Sequence, residues 1–326
     1  MKARILLYAL PALIVTSIHL AEAQQPTKIP RIGYLIGASF IPVRSEALRQ
    51  GLREFGYVEG KTIFIEWRSG EGKPERLPAL ATELVRLKVD VIVTAGPVAT
   101  RPAKEATSTI PIVMTNEGDP VGTGFIASLA RPGGNVTGLS TLAPEISGKR
   151  IELLKEIIPN LSRVAVFGTS TRSDNAHSLK EVDLAAKGFG VKVQYVDVLS
   201  PDDIENAFRA ARNERAEAVL MMVATAVVSG HRTKIINVAA QSRLPVIYRL
   251  REEVEAGGLM TYGVNLTDLD RRAAAYVDKI LKGAKPADLP VEQPTKFEFI
   301  INLTAAKQIG LTIAPNVLAR ADKIIK

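Results

Sequence analysis

The sequence predicts an α/β protein of two doubly wound parallel-sheet lobes, joined by a hinge that the chain crosses more than once. Three observations predict this. Short β-branched runs alternate with amphipathic helical stretches along almost the whole chain, and such alternation builds right-handed βαβ units around a parallel sheet. The run Asp90–Thr94 is nearly all apolar, as expected of a strand whose sheet is covered by helices on both faces. The alternation also occurs twice, from Arg31 to about Leu139 and again from Arg163 to Tyr262, with the glycine-rich stretch Arg131-Pro132-Gly133-Gly134-Asn135-Val136-Thr137-Gly138 between the passes.

The strand-like runs, in order, are Arg31–Ile36, Thr62–Trp67, Asp90–Thr94, Pro111–Met114, Arg163–Phe167, Val191–Val196, Ala218–Val223, Pro245–Tyr248, Leu259–Tyr262 and Lys296–Asn302. Helical periodicity covers about 43–56, 75–88, 98–107, 121–130, 145–158, 174–189, 202–213, 231–242, 267–282 and 315–325. Over 75–88, Leu77, Leu80, Ala81, Leu84, Val85 and Leu87 recur at three- and four-residue spacing and so share a face. Pro74 fits the first turn there, where a missing N–H costs nothing. The Gly-Gly of 133–134 precedes the strand-like Asn135–Gly138 and not a helix, so it reads as a tight turn leading into the first crossing between lobes. Trp67, the only tryptophan, reads as packing at a strand end.

Length and composition bound the function. The 326 residues fit two domains of about 150 residues each. With 46% hydrophobic and 23% charged residues the chain is an ordinary folded protein. It has no cysteine, which excludes thiolate catalysis, iron–sulfur clusters and cysteine-ligated zinc. The net charge of +8 is spread along the chain without a dense basic block, so no nucleic-acid partner is expected.

Residues 1–23 read as a secretory address. Lys2 and Arg4 precede the apolar stretch Ile5–Leu20, and Ala21-Glu22-Ala23 is a small-x-small cleavage site, with the cut after Ala23. No cysteine stands at the cut, so no lipid anchor is expected, and no later segment holds about 18 uninterrupted apolar residues. The expected destination is the periplasm.

No catalytic signature stands in the sequence. G-x-S-x-G, G-x-x-x-x-G-K-[ST], H-E-x-x-H and G-x-G-x-x-G are all absent. His177 and His231 fall at polar helix starts and read as solvated surface residues. The reading is therefore a binding protein and not an enzyme, without cofactor or metal. What remains are strand-to-helix turns, where open α/β sheets bind ligands and where helix N-termini favour anions. On the first pass these turns hold Gly37-Ala38-Ser39, Ala95-Gly96-Pro97 and Asn116-Glu117-Gly118-Asp119-Pro120; on the second they hold Gly168-Thr169-Ser170-Thr171, Ala224-Thr225 and Tyr248-Arg249.

The candidate ligand-binding residues follow from those turns: Ser39, Ala95, Gly96, Asn116, Glu117, Asp119, Thr169, Thr171, Tyr248 and Tyr262. Asp119 fits an N-cap with Pro120 at the first helical position, a role compatible with facing a ligand ammonium. Glu117 has no capping role and is the better carboxylate candidate. Ser39, Thr169 and Thr171 are either helix caps or donors to a ligand carboxylate. Tyr248 and Tyr262 end strands and are either core residues or cleft walls.

Several stretches carry a family resemblance: Gly51–Lys61 (GLREFGYVEGK), Leu84–Val93 (LVRLKVDVIV), Ile110–Val113, Asp119–Gly122, Ser128–Gly138 (SLARPGGNVTG), Ala256–Gly263 (AGGLMTYG) and Ile280–Glu292 (ILKGAKPADLPVE). In these the chain resembles the ABC-transporter substrate-binding proteins of the tryptophan/aromatic-amino-acid-like family, over essentially its whole length after residue 23. The resemblance implies a type I periplasmic-binding-protein fold with three hinge crossings. It also implies an N-terminal lobe of 24–140 plus 264–290 and a C-terminal lobe of 141–263 plus 291–326. The ligand is then a small carboxylate or amino acid, aromatic in the better-known members, held in the cleft between lobes. The implied partner is an ABC permease of the inner membrane, with the protein itself a monomer. The alternatives are a ligand sensor docking on a membrane receptor and an enzyme on the same fold. The mechanism expected is a hinged clamp, in which the ligand must bind the closed form better than the open one.

Overall fold

The computed structural model describes residues 28–172, 174–223, 227 and 231–326. The address at 1–23 and the turn Ala224-Thr225 lie outside the described residues. Among the described residues no helix is long and apolar enough to cross a membrane.

Two sheets organise the chain. The first holds β1 (Arg31–Ile36), β2 (Phe64–Ser69), β3 (Val91–Ala95), β4 (Ile112–Glu117) and β5 (Val136–Ser140), in the order β2-β1-β3-β4-β5. Every pairing in it is parallel. Its helices are α1 (Pro42–Glu54), α2 (Leu77–Arg86) and α3 (Pro97–Ala106). Residues on β1 alternate between the two cores that flank the sheet: Ile32, Tyr34 and Ile36 pack on one face and Leu35 on the other. That two-sided burial is why the strands read as apolar runs.

The second sheet holds β6 (Arg163–Gly168), β7 (Lys192–Asp197), β8 (Ala218–Met221), β9 (Val246–Tyr248), β10 (Met260–Gly263), β11 (Glu298–Asn302) and β12 (Lys323–Ile325), in the order β12-β11-β10-β9-β8-β6-β7. Only the β10–β11 pair is antiparallel. Its helices are α4 (Ala143–Ile157), α5 (Asn175–Gly188), α6 (Asp203–Asn213), α7 (Arg232–Ser242) and the one-turn α8 (Arg251–Glu255). The helix α9 (Leu266–Leu281) returns to the first lobe, where Leu269, Ala273, Ala274 and Val277 join the core beside α1. Gly51 permits that packing, since a Cβ there would lie 2.1 Å from the Arg271 carbonyl oxygen. The chain ends on the second lobe with α10 (Leu303–Ile309) and α11 (Pro315–Leu318).

The chain thus passes between the lobes three times: at Ser140–Ala143, at Gly263–Leu266 and between Glu292 and Glu298. Val291 and Glu292 still hydrogen-bond to the first lobe, to the carbonyls of Leu129 and Gly138. The last crossing accordingly falls just after those two residues.

Two helical readings differ in the structure. Residues 121–130 form a turn and not a helix. Gly124 sits at φ +72°, and the amides of Phe125 and Ile126 both donate to the Pro120 carbonyl, closing the turn early and sending both side chains into the core. The stretch 315–325 is helical only to Leu318. Beyond it, Asp322 accepts the Phe299 amide (2.7 Å) and its own amide donates to the Phe299 carbonyl, which starts β12 along β11. Residues 303–309, without a helical reading in the sequence, form α10, which Asn302 caps by accepting the Ala305 amide.

Candidate functional site

The strand-to-helix turns of both lobes converge on one cavity of about 120 Å³ at their junction. The first lobe lines it with Ile36, Gly37 and Ala38 after β1, Ala95 and Gly96 after β3, and Asn116 and Gly118 at the end of β4. Gly96 adopts φ +83° at the N-cap of α3, a conformation only glycine takes without strain. The N-termini of α1, α3, α4 and α9 all open onto the cavity, through Ile41, Pro97, Ala143 and Leu266. Two of these helices begin with proline and α4 has one at its second position, which forfeits only an N–H that would have no helical partner. Four helix dipoles therefore point their positive ends at one small space.

The second lobe supplies cations. Arg150 from the middle of α4, Arg172 after β6 and Arg249 after β9 all line the cavity. Arg150 Nε donates to the Tyr262 carbonyl (2.8 Å) and its Nη2 to the Arg249 carbonyl (3.2 Å). Arg249 Nη1 donates to the Val223 carbonyl (2.9 Å). Arg172 instead holds a carboxylate: its Nε donates to Asp174 Oδ1 (2.8 Å) and its Nη2 to Oδ2. Asp174 is fully buried and lines the same cavity. A fourth arginine, Arg44 on α1, is neutralised within its own lobe by the buried Asp270 of α9, at 2.5 Å.

Burial governs the titration of these groups. It lowers Arg150 to about 10, and with the neighbouring Arg172 it lowers Arg249 to about 9. Both guanidiniums therefore remain protonated at neutral pH. Burial, then the charge of Asp174, raises Glu117 to about 8. Glu117 is wholly buried at the end of β4; its Oε1 accepts the Gly118 amide (3.2 Å), while Oε2 has no hydrogen-bond partner.

Of the ten residues read as candidates, Ala95, Gly96 and Asn116 line the cavity. Ser39, Thr169 and Thr171 line a wider groove outside it, together with Lys73, Arg101 and His231. Thr169 is buried there, its hydroxyl donating to the Val198 carbonyl (2.9 Å). Glu117 lies beneath the cavity wall. Asp119 caps a turn and not a helix, accepting the Gly122 amide (2.9 Å), and its Oδ2 lies 2.6 Å from His177 Nδ1 on the other lobe. Tyr248 is a core residue of the second lobe, 2% exposed. Tyr262 stacks on Phe297 at 5.8 Å and meets the site only through its carbonyl, which holds Arg150. Trp67 packs on Tyr34 and accepts Arg49 over its ring.

The cavity's charged residues, Arg44, Arg150, Arg172, Asp174 and Arg249, are absent from the sequence-based candidates. Arg150 had a readable signal. It falls on the apolar stripe Ile146, Ile151, Leu154 and Ile157 of its helix, and all of these are buried. A charge in such a stripe needs a partner or a polar cavity.

A sequence profile of the family described as ABC transporter substrate binding protein matches residues 42–325. The chain belongs to this family. A curated relative, the tyrosine-binding protein of Clostridioides difficile (strain R20291), is 24% identical over 262 residues, covering 80% of this chain and 75% of its own. Among solved structures, a conserved domain protein of Vibrio cholerae is 32% identical with a TM-score of 0.84, covering 91% of this chain and 100% of its own. The ABC domain of Streptococcus pneumoniae in complex with L-Trp is 25% identical, again with a TM-score of 0.84, covering 91% of this chain and 99% of its own. These relatives share the two-lobed α/β architecture. As a member of the family, this chain is a solute-binding component of an ABC transporter, with its cavity placed at the lobe junction.

Proposed function

We propose that this protein captures a small carboxylate-bearing solute between its lobes and delivers it to a membrane permease. One observation carries the reading: a cavity lined from both lobes, with four helix N-termini on its wall and arginines facing them. A carboxylate placed there meets the positive ends of dipoles from both lobes, three from the first and that of α4 from the second, and the guanidiniums of the second lobe. Each lobe alone offers half of those contacts, so the ligand favours the closed arrangement, and closure is the signal that a permease reads. The tyrosine-binding and L-Trp-bound relatives support a carboxylate as the feature recognised. The protein then works as a monomer in the periplasm after loss of residues 1–23, with Ala95, Gly96 and Asn116 as first-lobe contacts and without catalysis.

The test is a thermal-shift panel of amino acids and organic acids, followed by scattering on any hit. The expected result is at least one solute that raises the melting temperature by several degrees and compacts the molecule. A panel without any shift, on protein that also releases no small molecule when denatured, would overturn the reading.

A further inference from the structure

We propose that the cleft selects organic acids of net negative charge, lacking an ammonium group, over zwitterionic amino acids, because Arg150 and Arg249 face the cavity with no carboxylate to neutralise them. This rests on reading the cleft as a solute site and names the class of solute.

The charges on the wall can be counted. Arg44 is cancelled by Asp270, and Arg172 is cancelled by Asp174. Among the described residues, neither Arg150 nor Arg249 has a carboxylate within 4.0 Å; their donors go to backbone carbonyls. Residues 173, 224–226 and 228–230 carry no ionisable side chain. Glu253 is the nearest compensating group. It is buried behind Arg249, does not line the cavity, and accepts the backbone amides of Arg249 (3.0 Å) and Leu250 (2.8 Å). Glu117 is held mostly protonated at neutral pH and adds no counter-charge. Two cations against one withdrawn anion leave the wall with a positive excess.

Buried charge without a partner is costly. A zwitterion has no net charge, so it leaves that excess as it was. A net anion removes it. The acceptors point the same way. Among the described residues Asp174 is the one carboxylate that lines the wall, and the fork of Arg172 already engages both its oxygens. The carbonyls of Gly96, Gly118, Tyr262 and Arg249 already accept protein donors. An ammonium entering the cavity would add a cation to a wall rich in donors and poor in free acceptors.

Isothermal titration with matched pairs tests this: 3-phenyllactate against phenylalanine, 2-oxoglutarate against glutamate, and lactate against alanine. In the tightest-binding pair the acid without the ammonium is expected to bind about tenfold or more tightly than its amine partner. Equal or tighter binding of the amino acid would overturn the proposal while leaving solute capture intact. If no pair binds, the small molecule released from natively purified protein decides: an organic anion supports the proposal and a zwitterion overturns it. No released molecule and no solute that shifts the melting temperature would overturn solute capture itself, and this proposal with it. Arg249→Met should shrink the preference for the acid in the binding pair. If that variant melts early, Arg249→Gln, which keeps a donor to Val223, gives the same reading. An undiminished preference in a folded variant would overturn the assignment of Arg249.

Discussion

Asp119 on the first lobe and His177 on the second stand 2.6 Å apart, carboxylate oxygen to Nδ1, and tie the lobes together. The contact exists only when the lobes are together, so it contributes to closure and not to the folding of either lobe. His177 is half exposed, and exposed pairs contribute up to about 1 kcal/mol. His177→Ala should therefore weaken ligand binding by at most about fivefold, mainly through faster release, and leave the melting temperature of the unliganded protein nearly unchanged. Stopped-flow release rates check this; an unchanged off-rate would assign the pair no part in holding the lobes closed.

Gly118 and Asp174 make the second cross-lobe approach. A Cβ on Gly118 would lie 2.6 Å from Asp174 Oδ2 and 3.2 Å from the Ala143 Cβ. Gly118 has an ordinary backbone conformation, so alanine fits the first lobe by itself and collides only when the second lobe arrives. Gly118→Ala should lower ligand affinity by about tenfold or more, with the fold intact by circular dichroism. Scattering with saturating ligand should show a larger radius of gyration than for the unsubstituted protein. Full compaction in the variant would show that Asp174 can move aside.

How much of this was legible in the sequence depends on how local each feature is. Strands such as Arg31–Ile36 are local runs of β-branched and apolar residues, and the structure places that strand at the same residues. Ala95, Gly96 and Asn116 follow from topology, because the ends of parallel strands line the cleft wherever the lobes face each other. The turn at 121–130 misleads because its apolar spacing comes from Phe125 and Ile126 entering the core from a loop closed by Pro120 and Gly124. Arg150, Arg172 and Arg249 belong together only in three dimensions: they come from α4, from the loop after β6 and from the loop after β9. The buried pair Arg44 and Asp270 shows how such residues can be found. Each lies on the buried stripe of its own helix, Arg44 one turn before Ala47 and Leu48 on α1 and Asp270 between Leu269 and Ala273 on α9.

That pair gives the largest stability effect expected in the first lobe. Arg44 and Asp270 are 5% and 0% exposed, and their bond joins helices 226 residues apart in sequence. Removing one partner strands the other charge in the core, which costs about 3–5 kcal/mol. Arg44→Met should lower the melting temperature sharply, whereas the double variant Arg44→Met with Asp270→Leu should recover most of the loss. Calorimetry on the three proteins tests this, and additive losses in the double variant would mean that the two groups act independently.

Glu117 sets a pH dependence whose sign can be worked out. Its folded value is raised to about 8, while an unfolded glutamate titrates near its ordinary value of about 4.3. Between those two values the folded protein binds the proton more tightly than the unfolded chain does, so stability falls as pH rises. The contribution is complete below the unfolded value, declines at up to about 1.4 kcal/mol per pH unit, and is fully lost once pH passes the folded value. Glu117→Gln removes the titration while keeping an uncharged group of the same shape at the end of β4. Its melting temperature should match that of the unsubstituted protein near pH 4 to within a few degrees and exceed it at pH 9. Asp174 contributes to the shift from across the cleft, so Asp174→Asn should lower the folded value of Glu117, making the decline smaller and ending it at lower pH. Parallel melting curves for the two proteins from pH 4 to 9 would refute the assignment of this proton to Glu117.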